Sequence, residues 1–115
     1  MARHLFLVST NAVEGRDDEF NEWYDGVHLR EVLALPEFVG AQRFTVSAAL
    51  PGGAVPAQRY LTIYEIETDD VDGALQRLRD SVGSMTISPA IDRSSVGAFA
   101  VQALGERVTK ETVGD

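Results

Sequence analysis

The sequence predicts an α+β fold of order β-α-β-β-α-β, with a four-stranded antiparallel sheet and two helices on one of its faces. Three observations carry that expectation. Four segments alternate in the period-2 manner of strands, two show helical apolar stripes opened by acidic turns, and the two kinds interleave in the split βαβ order. A length of 115 residues with 44% hydrophobic and 24% charged side chains suits one core. Residues 1–104 are expected to form that domain, and residues 105–115 a polar tail that frays unless a partner holds it.

The first strand, about residues 3–9, sets Leu5 and Leu7 on one face and His4, Phe6 and Val8 on the other, so both faces are apolar. Residues 11–16 contain Gly15 and read as a loop. Asp17-Asp18-Glu19 then places negative charge in the first turn of a helix, where the helix dipole favours it. Phe20, Trp23, Tyr24 and Val27 recur at spacings of three and four, and the stripe continues through Glu31 to Leu35, where Pro36 closes it. Gly26 inside this helix costs ~1 kcal/mol relative to Ala, which marks Gly26-Val27-His28 as the place where the helix bends or breaks.

The second strand spans about Phe38 to Ala48, with Phe38, Gln42, Phe44 and Val46 on one face and Val39, Arg43 and Thr45 on the other. Leu50-Pro51-Gly52-Gly53-Ala54-Val55-Pro56 is a loop. The third strand runs from Gln58 to Glu67, where Tyr60, Thr62, Tyr64 and Ile66 alternate with Leu61 and Ile63. Asp69-Asp70-Val71-Asp72 opens the second helix, its stripe is Val71, Ala74, Leu75, Leu78 and Val82, and Gly83 follows its end. Residues 84–95, with Pro89, read as an irregular connection holding a short helical turn, and Val96 to Leu104 as the fourth strand.

This order is the ferredoxin-like arrangement, in which both helices cover the same side of the sheet. Strands one, three and four are apolar on both faces, so one chain alone leaves an apolar sheet face in water. A homodimer closed through those faces, with a barrel-like interior, is the expected solution.

Charge and composition remove several function classes. Eighteen acidic against ten basic side chains give a net charge of −8, which repels nucleic acid and anionic membranes, and the basic residues are scattered singly. With no Cys the chain has no disulfide, thiolate zinc site, iron–sulfur cluster or thiol nucleophile. The first eight residues lack the apolar length of a signal peptide, and no apolar run reaches ~18 residues, so a cytoplasmic address is expected. Hydrolase, nucleotide-phosphate and dinucleotide motifs are all missing. A hydrophobic small molecule and a second copy of the chain are the partners left.

Functional groups concentrate in Asn21-Glu22-Trp23-Tyr24-Asp25-Gly26-Val27-His28-Leu29. His28 is either an acid or base with Glu31 one turn beyond it, or a half-buried ring that caps a bent helix by bonding a carbonyl. His4 either points into a cavity or lies near the sheet edge. Arg43, Tyr60 and Tyr64 either line a pocket on the sheet and orient an oxygen-bearing ligand, or are ordinary core side chains, with Arg43 paired to a carboxylate of the first helix. The two histidines with Glu31 or Asp25 lack a metal-ligand spacing, so neither a metal nor another cofactor is expected, haem on His28 being the alternative.

That segment, followed by Glu31-Val32-Leu33, Pro36 with Phe38, Arg43-Phe44, and Tyr60-Leu61 through Tyr64-Glu65, resembles the EthD-like branch of the dimeric α+β barrel proteins. The likeness in element order spans residues 3–104. It implies homodimers with a hydrophobic cavity in each protomer between sheet and helices. The wider superfamily includes cofactor-free cyclases, isomerases, dehydratases and monooxygenases of aromatic or polyketide-like molecules, and haem-binding relatives. The resemblance implies that His28 is the acid or base, that Trp23 and Tyr24 shape the site, and that His4 stands where some polyketide cyclases carry a histidine. Arg30 stands where many relatives have Pro, which implies a softer break after His28.

The expected function is therefore a cofactor-independent lyase, isomerase or cyclase. In it His28 moves a proton, Tyr24 or Tyr60 hydrogen-bonds a carbonyl or enolate oxygen, Arg43 offsets negative charge and Trp23 packs on the ligand. The rival is an accessory protein that binds such a molecule without converting it.

Overall fold

The alternating strands assemble into a sheet of order β2-β3-β1-β4. Its members are β1 (Ala2–Ala12), β2 (Phe38–Thr45), β3 (Tyr60–Thr68) and β4 (Ile91–Val101), and every pairing is antiparallel. The computed structural model describes residues 1–113. Over one face lie α1 (Asp17–Trp23), a π-helical turn (Tyr24–His28) and α2 (Leu29–Leu33) as one helical path, and α3 (Val71–Ser81). The ferredoxin-like topology is thus the one the sequence predicts.

Register decides which side chains meet the helices. Phe6, Tyr64, Ala41 and Ala100 form one rung on the helix side, and Val8, Thr62, Arg43 and Ala98 the next. Phe6, Tyr64 and Ile66 are buried there with Phe20, Trp23, Tyr24 and Val32 of the helical path. Burying each such large side chain contributes ~1.5–3 kcal/mol, so these few residues dominate the core. On the opposite side the rungs are Leu5, Glu65, Gly40 and Val101, then Leu7, Ile63, Gln42 and Phe99, then Ser9, Leu61, Phe44 and Gly97. Among the described residues nothing covers them: Phe99 is 56% exposed and Phe44 41%.

Two strands depart from the expected pattern through a β-bulge, β2 in the face of a side chain and β4 in where it starts. In β2 the register slips between Phe38 and Gly40, which reverses the alternation. Phe38 therefore turns toward the helices and is buried, and does not share the face of Gln42 and Phe44. In β4 the strand begins at Ile91 and ends at Val101, five residues before the expected start and three before the expected end. Asn11 pairs with Asp92 but Ser9 pairs with Gly97, so residues 93–96 of β4 bulge opposite a single residue of β1. Side chains hold the bulge: Ser94 donates from N–H and Oγ to Asp92 Oδ1, and Ser95 Oγ donates to the Asp92 carbonyl while accepting from Asn11 N–H. A polar Asp-Arg-Ser-Ser run looks like a loop in sequence because it pays for its own backbone bonds in this way. Pairing with the early part of β4 carries β1 on to Ala12, whereas β2 stops at Thr45.

Where the sequence expects a bend or break, around Gly26-Val27-His28, the chain makes the π-helical turn, and the helical path continues to Leu33. Arg30 lies within α2, where Pro would remove a backbone N–H donor. Beyond Val101 a polar segment ends in the short helical turn α4 (Lys110–Val113), and residues 114–115 of the expected tail lie outside the described residues.

At the start of α3, Asp70 Oδ1 accepts from Gly73 N–H at 3.0 Å, a side-chain N-cap. A Cβ on Gly73 would collide with the Asp70 carboxylate and swing it off the cap. Asp70→Ala should cost about 1 kcal/mol in urea denaturation. Gly73→Ala should gain up to about 1 kcal/mol in the Asp70→Ala background and close to nothing alone, the non-additivity expected of residues in contact.

Candidate functional site

The π-helical turn builds the site. Leu29 N–H donates to the Tyr24 carbonyl, five residues back, where an α-helix would bond four back. Residues five apart lie well round the cylinder of a straight α-helix with ~3.6 residues per turn, and the wider turn draws them onto one face. Trp23 and His28 are such a pair, and their rings stack with centroids 4.7 Å apart and planes 23° apart. Tyr24 meets the same imidazole edge-on at 5.0 Å.

Each partner of the imidazole is itself fixed. Trp23 Nε1 donates to the Thr86 carbonyl at 2.7 Å, and the hydroxyls of Tyr24 and Tyr64 lie 3.1 Å apart in the core. The Arg43 guanidinium sits over the Tyr24 ring, 4.4 Å from its centre, a cation–π contact. Burial pushes the Tyr64 hydroxyl well above the usual phenol range, reinforced by Tyr24, so it stays protonated and acts as a hydrogen-bond donor or acceptor.

Between this wall, the sheet and α3 lies a cavity of about 630 Å³, within the usual size of small-molecule sites. Phe6, Val8, Val32, Leu75, Leu78 and Val96 make its lining mainly apolar, and Tyr24, Tyr64 and His28 are its polar wall. Asp72, Gln76 and Arg79 of α3, all exposed, stand at its rim. Sequence reasoning passed over these three, whose signal is their spacing of four and three along the flank of the α3 apolar stripe. It also missed Thr86, which lies in an irregular segment without a motif.

Burial lowers the His28 pKa below the ordinary imidazole value, while the Glu31 charge pulls it partly back. Its Nδ1 is buried without a hydrogen-bond partner, so the ring does not cap the helix through that atom. Glu31 Oε2 accepts from Thr86 N–H at 2.9 Å.

The other candidates lie elsewhere. Arg43 and Tyr60 line a smaller cleft of about 240 Å³ with Asn21, Phe44 and Thr45. Arg43 donates to Asp25 Oδ1 at 2.9 Å and to Asn21 Oδ1 at 2.8 Å. Tyr60 donates its hydroxyl to Asp17, which holds that carboxyl below the usual range with help from Arg59. His4 is half-buried opposite Ile66 and does not line the cavity. Thus His28, Tyr24 and Tyr64 share the cavity, Trp23 backs the imidazole, and Arg43, Tyr60 and His4 stand outside it. Among the described residues no three His, Asp or Glu side chains gather as a metal site, and no helix is long and apolar enough to cross a membrane.

No protein-family model matches the chain, and no curated protein does so by sequence. Solved structures do. An EthD family protein from Bacillus halodurans is 10% identical with a TM-score of 0.57, the match covering 90% of this chain and 100% of that one. The haem-degrader MhuD from Mycobacterium tuberculosis, with two haems in its active site, is 13% identical with a TM-score of 0.57 over 91% and 99%. A Streptomyces coelicolor monooxygenase in complex with nanaomycin D is 11% identical with a TM-score of 0.52 over 95% and 93%. The chain therefore shares its fold with these proteins, an EthD family protein among them. At such identities the likeness speaks for fold and carries no residue's role across.

The His28 environment has a consequence for stability. The unfolded imidazole takes up a proton near pH ~6.5, whereas the folded ring does so only at lower pH, so the unfolded state binds more protons within that window. The contribution is complete above pH ~6.5 and is lost as the pH falls through the folded value. Urea midpoints measured from pH 7.5 down to 5 should fall more steeply for the wild type than for His28→Gln; parallel curves would contradict the burial of the neutral ring.

Proposed function

We propose that the cavity takes a hydrophobic, oxygen-bearing small molecule of aromatic or polyketide-like type and that His28 moves a proton on it without a cofactor, as a lyase, isomerase or cyclase does. The observation that carries this reading is one imidazole beside two paired phenols on the wall of a mainly apolar cavity. A carbon acid next to a carbonyl needs a base for its proton and a donor for the oxygen on which charge develops. A neutral His28 supplies the first, and the Tyr24–Tyr64 pair supplies the second. Trp23 holds the ring by stacking, so it shapes the site from behind and need not touch the ligand. Of the expected binding residues, Arg43 supports the site by holding the Tyr24 ring. Tyr60 and His4 are assigned no contact with this ligand.

Two proteins of the same fold hold small molecules, haem in one and nanaomycin D in the other, which supports an occupied cavity here. Haem is the rival occupant. His28 is the imidazole on the wall and Arg79 the rim cation that a propionate would meet, and a visible absorption band on adding haem reads this out.

The second part of the proposal is a homodimer closed through the bare sheet face. Leu5, Leu7, Leu61, Ile63, Phe99 and Val101 form a continuous apolar field across three strands, a surface that soluble monomers rarely expose. The radius of gyration is 16.0 Å, against about 13 Å for a compact chain of this length. Leu50 and Val55 in the loop after β2 and Leu104 after β4 add exposed apolar side chains away from the core.

Incubation with a panel of aromatic, lactone and polyketide-like compounds, followed by mass spectrometry, tests the activity. His28→Ala should lower turnover ~10²–10⁴-fold with ligand affinity nearly unchanged. Equal turnover would remove His28 from the chemistry, retention without conversion would favour an accessory binding protein, and a product gaining one oxygen atom would place the reaction among monooxygenations. Light scattering should give twice the chain mass for the wild type, and Ile63→Asp should yield monomer or unfolded chain. A monomeric wild type would refute the dimer.

A further inference from the structure

Thr86 grips two side chains that flank the imidazole. Its carbonyl accepts from Trp23 Nε1 at 2.7 Å, and its N–H donates to Glu31 Oε2 at 2.9 Å. Trp23 stacks on His28, and Glu31 follows His28 by three residues, on the same side of the helix. This leaves two buried polar atoms on the helical path without partners, His28 Nδ1 and Glu31 Oε1. One is a potential N–H donor and the other an acceptor, and buried polar groups in native proteins are nearly always paired. The remaining unpaired buried atoms, Glu37 Oε1 and Arg43 Nε, belong to other elements.

We propose that Glu31 is the positioning residue of His28: anchored by Thr86 through Oε2, it accepts the Nδ1 proton through Oε1 and so leaves Nε2 as the base that faces the cavity. The two residues are three apart on one helical path, the spacing at which side chains meet, and the Glu31 charge already acts on the imidazole. The carboxylate does not touch the ligand. It fixes the tautomer and stabilises the imidazolium that forms when Nε2 takes a proton, the part an acidic partner plays for a catalytic histidine. Other groups around the ring do not compete for this role. Tyr24 and Trp23 present ring faces or edges to it, Tyr64 bonds Tyr24, and Asp72 and Arg79 stand across the cavity at its solvent rim. Asp25, in the same turn, is taken up by Arg43.

The inference rests on the reading of His28 as the proton-transfer group, and its test reads the ring directly so that the two fail separately. Protein labelled with 15N-histidine is titrated by NMR, with His4→Gln assigning the two imidazoles. In the wild type the neutral His28 ring should carry its proton on Nδ1. Glu31→Gln, which keeps an acceptor but loses the charge, should preserve that tautomer and lower the ring's proton affinity about tenfold. Glu31→Ala should lose both. A proton on Nε2 in the wild type overturns the proposal without any variant needing to fold, as does unchanged proton affinity in Glu31→Gln. An Nδ1 proton in a protein whose turnover ignores His28→Ala upholds the positioning and sinks the catalytic reading instead.

Discussion

A strand whose side chains are apolar at both parities cannot be satisfied by a single layer of helices, because its alternation sends half of them to each face. Most of this molecule's organisation follows from that constraint. Phe6, Tyr64 and Ile66 spend one parity on the helical layer, and Leu5, Leu7, Leu61 and Ile63 spend the other on a face that the described residues leave open. A one-residue slip would exchange the two sets, and so the bulges at Val39 and at residues 93–96 matter. The first delivers Phe38 to the core. The second lets β4 change pairing partners along β1 without turning Ala98 and Ala100 away from the cavity side.

Within the helical layer the tension is between packing and polarity. The core face of α1 is aromatic, and an α-helix continued straight through Tyr24 would carry His28 away from Trp23. The π-helical turn costs regular hydrogen-bond geometry and returns an imidazole stacked against indole, with its polar edge at a cavity. Two effects then act on that imidazole in opposite directions. Desolvation outweighs the Glu31 charge, so the ring is neutral near pH 7, which is the form a base requires.

How much of this was legible in the sequence follows the range of the physics. Alternation, acidic first turns and the Pro36 stop are local signals, and they gave the element order, the sheet and the helices on one face. The Trp23-Tyr24…His28 segment stood out by its residue content as a candidate, and Tyr24 and His28 do line the cavity. The bulges were not legible, since Asp92-Arg93-Ser94-Ser95 satisfies its backbone with its own side chains and reads as a loop. Nor was the division between Tyr60 and Tyr64. Both sit on the helix side of β3, four residues apart, but Tyr60 ends against Asp17 and the smaller cleft while Tyr64 meets Tyr24. That separation depends on where α1 crosses the sheet, which no local spacing encodes.

The placement of the phenols narrows the chemistry. A buried tyrosine whose pKa is raised keeps its proton at neutral pH, so it can donate a hydrogen bond and does not act as a base. Tyr64 is such a group, and its hydroxyl partner Tyr24 adjoins the imidazole, so the pair suits an oxygen that gains negative charge. Asp72 reaches the cavity only at its exposed rim, where water rather than apolar lining surrounds it. Among the groups that line the cavity, the neutral imidazole is therefore the one chemically suited to accept a proton. A division of labour between one acceptor and one free O–H of a hydrogen-bonded phenol pair would explain why a mainly apolar cavity keeps three polar side chains together on a single wall.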